Sequence, residues 1–230
     1  MNPKLKASMQ QIGSREWNNE MFLSHPTPYT GIAGWIERRR LGRIQEAIRK
    51  YRPKGEMEIL ELGCEAGNLL LSLHKAFPQA QLVGADISDY ALTIAQDKLP
   101  ENACRWILAD ICLPIPYYAK ADVVICSETL EHIPDYRKAL DQIEALLDEA
   151  SLLILTVPLE GLKNKVKNIL NKLGLMKLFF PGIESGFSDW HVQDFKSENF
   201  KAEMEERFEL LEYEQILGLH QIVIAKKKML

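Results

Sequence analysis

The run Met57-Glu58-Ile59-Leu60-Glu61-Leu62-Gly63-Cys64-Glu65-Ala66-Gly67-Asn68 restricts the possible folds more than any other stretch of this chain. Its first half has the apolar character of a buried strand. Leu69, Leu70, Leu71, Leu73 and Phe77 then supply the apolar side of a helix, with Gly63 and Gly67 in the turn between. A strand that feeds a helix through a glycine-bearing turn opens many parallel sheets, and that turn is where such sheets receive nucleotide-like ligands. A dinucleotide fingerprint needs a glycine in the middle of the turn, so that backbone can approach a pyrophosphate. Here Glu65 fills the middle position and Asn68 replaces the last glycine. A carboxylate at that point repels a pyrophosphate. A ligand with an amino acid end and no phosphate fits better.

Strands and helices alternate from this point. Strand one covers 57–63 and its helix 67–77; strand two covers 80–85, and Ser88 caps a helix that runs to Lys98. Cys104–Leu108 and Ala121–Cys126 read as strands three and four. A helix over 135–148 shows Leu140, Ile143 and Leu147 on one side, and Ser151–Val157 is a fifth strand ended by Pro158. This order predicts right-handed βαβ units and a parallel sheet covered on both faces. Residues 208–213 and 221–225 read as a closing strand pair around Gly218, after a helix near 196–206.

The flanking segments are different. Residues 1–35 are mixed, and 36–52 read as a helix with a stripe of Leu41, Ile44, Ile48 and Tyr51. Its other faces are rich in arginine. Glu37 and Glu46 dilute that charge, so a solvated face is expected there in preference to a phosphate-binding one. Residues 159–187 break the alternation with Leu162, Val166, Ile169, Leu170 and Leu173 at helical spacing among Lys163, Lys165, Lys167, Lys172 and Lys177. Such a segment either lies on an anionic membrane surface, which would suit a lipophilic acceptor, or packs its apolar side on the domain as a lid.

At 230 residues with a net charge of −4, one α/β domain is expected, without broad binding to nucleic acid. The four cysteines have no C-x-x-C spacing and read as reduced thiols, not disulfides or zinc ligands. The first residues lack the apolar segment of a signal peptide, and no apolar run approaches the roughly 18 residues of a membrane span. A cytoplasmic location is therefore expected.

Glu61-Leu62-Gly63-x-x-x-Gly67 followed by Val83-Gly84-Ala85-Asp86 resembles the first two motifs of class I S-adenosylmethionine-dependent methyltransferases. The family usually carries a further glycine where this chain has Glu65. The resemblance implies an α/β, Rossmann-like, doubly wound and mostly parallel seven-stranded sheet with an antiparallel last strand. Methyl transfer gains from excluding bulk water, so a helical lid insertion is expected as well. The expected division is an N-terminal helical lid segment, 1–56, and a methyltransferase domain, 57–230, with a cap at 159–187. S-adenosylmethionine is the implied cofactor, held in the turn by Glu61, Gly63, Cys64 and Gly67. Asp86 ends strand two, 19 positions after Gly67, where a carboxylate accepts hydrogen bonds from both ribose hydroxyls; Ile87 follows it. Asp110 ends strand three, and the resemblance gives it the adenine amino group, with the backbone amide of Ile111 meeting the ring. A turn aspartate satisfied by its own local hydrogen bonds is the competing reading.

Cys126-Ser127-Glu128-Thr129-Leu130-Glu131-His132-Ile133-Pro134-Asp135 resembles the fourth motif of a subgroup that includes ubiquinone-biosynthesis O-methyltransferases. The resemblance places Ser127 and Glu128 where the strand edge meets the sulfonium. Glu128, Glu131 and His132 stand at i, i+3 and i+4, a spacing that predicts one shared helical face. Trp190-His191-Val192-Gln193-Asp194-Phe195 matches the family's H-x-x-x-F stretch. Three readings stay open. His132 or His191, with Glu128 beside them, accepts a proton from the acceptor hydroxyl. Alternatively Glu128, Glu131, His132 and His191 hold a divalent metal, as in metal-dependent RNA 3′-terminal 2′-O-methyltransferases. Or Glu131 and His132 only brace the loop. The expected function is methyl transfer, by in-line displacement, to an oxygen of a small acceptor, a lipophilic one if the 159–187 segment lies on a membrane, with no DNA partner. A metal-assisted RNA enzyme and a non-catalytic cofactor-binding scaffold are the alternatives.

Overall fold

A computed structural model describes residues 14–24, 31–52, 56–117, 120–159 and 192–229 of the chain. Seven strands form one sheet in the order β3-β2-β1-β4-β5-β7-β6. They are β1 (Glu58–Leu62), β2 (Gln81–Asp86), β3 (Cys104–Leu108), β4 (Val123–Ser127), β5 (Leu152–Pro158), β6 (Phe208–Ile216) and β7 (His220–Lys227). β1 to β5 run parallel, with Leu62 opposite both Ala85 and Cys126 and with Ser127 opposite Thr156. β7 lies antiparallel between β5 and β6, as the resemblance implies. Leu217 and Gly218, both at positive φ, turn the chain between β6 and β7 with the backbone sense that suits a tight hairpin.

Side-chain alternation along the strands builds two cores. Leu60, Leu62, Val124 and Leu155 point to one face and pack with Leu140 and Ile143 of α5 (Tyr136–Leu146) and with Phe200 and Met204 of α6 (Ser197–Arg207). Ile59, Ile125, Ile154 and Ile224 point to the other face. They meet Ile44 and Ile48 of α2 (Gly31–Tyr51), Leu70 and Leu73 of α3 (Asn68–Ala76) and Leu92 of α4 (Asp89–Lys98). Burial of each such side chain contributes about 1.5–3 kcal/mol. Ser88 caps α4 as its sequence suggests, with Oγ accepting the Ala91 N–H at 3.0 Å.

The N-terminal region holds more helix than the periodicity indicates. α1 (Arg15–Ser24) starts where Ser14 Oγ accepts the Trp17 N–H at 3.2 Å, and α2 begins at Gly31, ahead of the expected residue 36. The arginine-rich faces of α2 are clamped to the domain in part, while Arg38, Arg39 and Arg49 stay exposed as expected. Arg43 pairs with Glu212 and Glu214, Lys50 with Glu212 at 2.8 Å, and Arg52 with Asp122 at 3.0 Å. The expected insertion lies outside the described residues from 160 onward. Among the described residues no helix is long and apolar enough to cross a membrane.

Strand order reverses between β1 and β4. The crevice beyond the carboxyl ends of those two strands is the topological switch point of the sheet, the standard ligand position in open α/β folds. Gly63–Gly67 and Ser127–Thr129 border it.

Candidate active site

The turn after β1 is held in left-handed backbone at three places: Gly63 (φ 71°), Glu65 (φ 47°) and Gly67 (φ 70°). Both glycines are also needed for space. A Cβ on Gly63 would stand 2.3 Å from Thr129 Cγ2, and one on Gly67 would stand 2.9 Å from Ala95 Cβ. The N–H groups of Gly63 and Cys64 donate to the Ala85 carbonyl at 2.8 and 3.1 Å, tying the turn to β2. Glu65, the departure from the glycine pattern, donates its N–H to Asp86 Oδ2 at 2.8 Å. The strained middle position is therefore fixed by the residue that ends β2.

Asp86 is buried, and its other oxygen accepts the Ser88 N–H at 2.8 Å. Burial pushes its carboxyl up, while the amides of Ser88, Glu65 and Ile87 pull it back. Each oxygen keeps a second lone pair for a hydroxyl donor. One strand further out, Asp110 Oδ1 accepts the Cys112 N–H at 2.8 Å, so one oxygen serves the local turn; Ile111 is buried beside it.

Glu61 is only 3% exposed. Burial raises its carboxyl well above the usual range, against the opposing positive charge of Arg40. Its Oε2 has no hydrogen-bond partner among the described residues. A buried acceptor without a donor is costly, so a ligand cation here would complete the site.

Arg40 was hidden in the arginine-rich reading of its helix. It is buried, donates to Ser127 Oγ and, at 3.5 Å, to Thr156 Oγ1, and pairs with Glu37. It sits four residues before Ile44, on the stripe that continues through Ile48, and that spacing was the available signal. Through it, α2 reaches the ends of β4 and β5.

Glu128 stands just past β4 at φ 54°, with its N–H on the Thr156 carbonyl at 2.9 Å. Its Oε2 lies 2.8 Å from Nδ1 of His220, the first residue of β7. The shared helical face expected for Glu128, Glu131 and His132 does not form. The chain makes one 3-10 turn over Leu130–His132, and Glu128 precedes it in left-handed backbone. Glu131 points inward, His132 Nε2 lies 3.9 Å from Glu131 Oε1, and Val192 and Gln193 both donate to the Glu131 carbonyl. His191 lies outside the described residues, among which no group of three His, Cys, Asp or Glu side chains is arranged to hold a metal. Nothing in the local sequence of His220 marks it. It meets Glu128 only because β7 pairs with β5, setting His220 opposite Pro158. The four cysteines are free; burial raises Cys64, and Cys112 is pushed up to about 11.

The methyltransferase domain family matches residues 35–212. The chain belongs to that family. It is a class I, S-adenosylmethionine-dependent member by its first two motifs and its sheet order. Trans-aconitate 2-methyltransferase of Variovorax paradoxus (strain S110) is 28% identical over 114 residues, covering 50% of this chain and 43% of that protein. The chain spans about half the length of the curated relatives it matches. Among solved structures, the N-methyltransferase NodS of Bradyrhizobium japonicum WM9, in complex with S-adenosyl-L-homocysteine, superposes with a TM-score of 0.62 at 17% identity, covering 92% of this chain and 97% of that one. Magnesium protoporphyrin IX methyltransferase of Synechocystis PCC 6803, with the same compound bound, gives 0.62 at 18%, covering 97% and 99%. At that identity the likeness is one of fold.

The residues present fit the methyltransferase cofactor. The left-handed turn at Gly63 and Gly67 shapes the border of the crevice, the orphan Glu61 oxygen suits an ammonium donor, and Asp86 suits a pair of hydroxyls.

Proposed function

We propose that the chain is an S-adenosylmethionine-dependent methyltransferase that methylates an oxygen of a small molecule by in-line displacement. The unpartnered, buried Glu61 oxygen beside the glycine cradle carries the reading, because it asks for a cationic, phosphate-free ligand. When bound, the cofactor supplies a methyl group on a positively charged sulfur. The chain's own residues bind and orient. Glu61 takes the amino acid end, Asp86 the ribose, and Asp110 with Ile111 the base. Ser127 and Glu128 line the edge where the acceptor arrives, opposite a turn whose shape Thr129 fixes. Holding two reactants at attack distance contributes on the order of 7–11 kcal/mol without a covalent intermediate.

The N-terminal segment is the proposed lid. α1 lies on the ribose side, with Ser88 Oγ donating to Asn19 Oδ1 and Asn19 Nδ2 donating to Asp89 at 2.9 Å. The named activity of the trans-aconitate relatives supports a small acceptor and supplies the first compound to try. Titration of the chain with S-adenosyl-L-homocysteine, then methyl transfer from labelled S-adenosylmethionine to trans-aconitate, tests the two halves in turn. Absence of binding would sink the methyltransferase reading, whereas binding without transfer would remove only that acceptor.

A further inference from the structure

We propose that Arg40 of α2 is a positioning residue for the cofactor: standing over the same face of the sheet as Glu61, it keeps that carboxyl an anion ready for the ligand's ammonium group. This role rests on the methyltransferase reading of Glu61 and extends the site from the glycine turn to a helix outside it.

Strand alternation brings the groups together. Glu61 shares its face with Ile59, Ser127 with Ile125, and Thr156 with Ile154, and Ile44 and Ile48 of α2 cover that face. Arg40 lies about one helical turn before Ile44, over the carboxyl ends of the strands. There its Nη1 donates to Ser127 Oγ and, at 3.5 Å, to Thr156 Oγ1, and the two hydroxyls bond each other at 2.7 Å. Its Nε and Nη2 donate to Glu37 at 3.2 and 2.5 Å. Glu61 is opposite Ile125, so Ser127 stands one strand across and two residues along, roughly 8 Å between Cα positions. The guanidinium that reaches Ser127 therefore neighbours the Glu61 carboxyl. Arg40, Glu61, Ser127 and Thr156 are all buried, which leaves little water between them to screen the charges.

Charge decides what Glu61 can do. Burial raises its carboxyl, Arg40 draws it back down, and the carboxylates of Asp86 and Glu65 push it up again. Without the guanidinium, burial and two neighbouring anions all favour the protonated acid. A neutral acid holds an ammonium group less strongly than a carboxylate does. The division of hydrogen bonds also keeps the site open. Arg40 directs N–H groups to Glu37, Ser127 and Thr156, while Glu61 Oε2 has no hydrogen-bond partner among the described residues. Arg40 thus lends Glu61 its charge and leaves that oxygen for the ligand.

A double-mutant cycle read by calorimetry on the intact chain tests this, with S-adenosyl-L-homocysteine as the ligand. Arg40→Gln keeps a donor for the two hydroxyls and removes the charge, and is expected to weaken binding roughly tenfold. In the Glu61→Gln background the same change should weaken binding no further, because no carboxyl is left to hold ionised. Arg40→Lys, which keeps the cation, should restore most of the affinity. Methylthioadenosine, which lacks the amino acid end, should bind Arg40→Gln as tightly as wild type. Unchanged or tighter binding of S-adenosyl-L-homocysteine to Arg40→Gln, a loss that persists in full beside Glu61→Gln, no rescue by Arg40→Lys, or equal weakening of methylthioadenosine each overturns the role of Arg40 while the methyltransferase reading stands. A wild-type chain that binds neither compound overturns both. If Arg40→Gln does not fold, Arg40→Met takes its place in the cycle.

Discussion

The Asp86 carboxylate holds the backbone N–H of Glu65 at 2.8 Å, which locks the end of β2 to the middle of the glycine turn. The other oxygen holds Ser88, the cap of α4, so one side chain shapes the turn, the helix start and the ribose edge together. Asp86→Ala is expected to lower affinity for S-adenosyl-L-homocysteine about a hundredfold, roughly 2.7 kcal/mol. Asp86→Asn, which keeps one acceptor, should fall between. Calorimetry decides: an unchanged affinity in Asp86→Ala would take the ribose away from this residue.

Gly63 offers a test of the crevice wall. A methyl group there meets left-handed backbone and the Thr129 side chain, whose Cγ2 and Oγ1 would lie 2.3 and 2.4 Å from the added Cβ. Gly63→Ala is therefore expected to destabilise by about 2–4 kcal/mol, combining the φ penalty with overpacking. Removing the Thr129 side chain beyond Cβ should recover part of this, since the two nearest atoms go and Cβ, at 2.9 Å, stays. Denaturant unfolding of Gly63→Ala and of Gly63→Ala/Thr129→Ala measures the recovery. Equal stability of the two would mean that backbone strain alone sets the loss.

Local sequence carried the elements whose signal is itself local. β3 covers Cys104–Leu108 as read, Ser88 caps its helix, and the glycine turn is where the strand-to-helix change placed it. What escaped depends on distant pairing. α1 has a short cap signal at Ser14 but little apolar periodicity, and its Trp17 is buried only by tertiary packing. Arg40 looked like one more surface arginine until the stripe through Ile44 turned it toward Ser127. His220 is 92 positions from Glu128, and the antiparallel return of β7 beside β5 brings them together. The i, i+3, i+4 spacing at Glu128 failed for a backbone reason: helical spacing carries meaning only where the chain is helical, and φ 54° ends that.

Glu61 separates stability from binding. Its charged form is opposed chiefly by burial, and one oxygen has no donor among the described residues. Glu61→Gln removes the buried charge, so the ligand-free chain is expected to melt a few degrees higher. It also removes a charge-assisted acceptor for the ligand's ammonium, and affinity for S-adenosyl-L-homocysteine should drop at least tenfold, about 1.4 kcal/mol or more. Melting scans with and without that ligand read both effects. A lower melting temperature together with unchanged affinity would assign Glu61 to structure alone.

Acid should loosen the clamp between α2 and β6 before it unfolds the rest. Glu212 receives Lys50 Nζ at 2.8 Å, the Tyr51 hydroxyl at 2.7 Å and Arg43. The hydrogen bonds from Lys50 and Tyr51, with the nearby positive charge, hold its carboxyl down at about 2, below the ordinary 4.5. A carboxyl depressed in the folded chain contributes stability above its unfolded pKa and loses it as pH falls toward the folded value. The contribution is therefore complete near neutrality, declines below about pH 4.5 and is gone near pH 2. Glu212 is partly solvent-exposed, so about 1–2 kcal/mol is expected after screening, or a few degrees of melting temperature for a chain of this size. Other carboxylates titrate over the same range, so the comparison is between wild type and Glu212→Gln at each pH. Their melting temperatures should differ at pH 7 and converge by pH 2.5. A gap that stays constant down to low pH would mean that Glu212 supports the clamp by packing and not by charge.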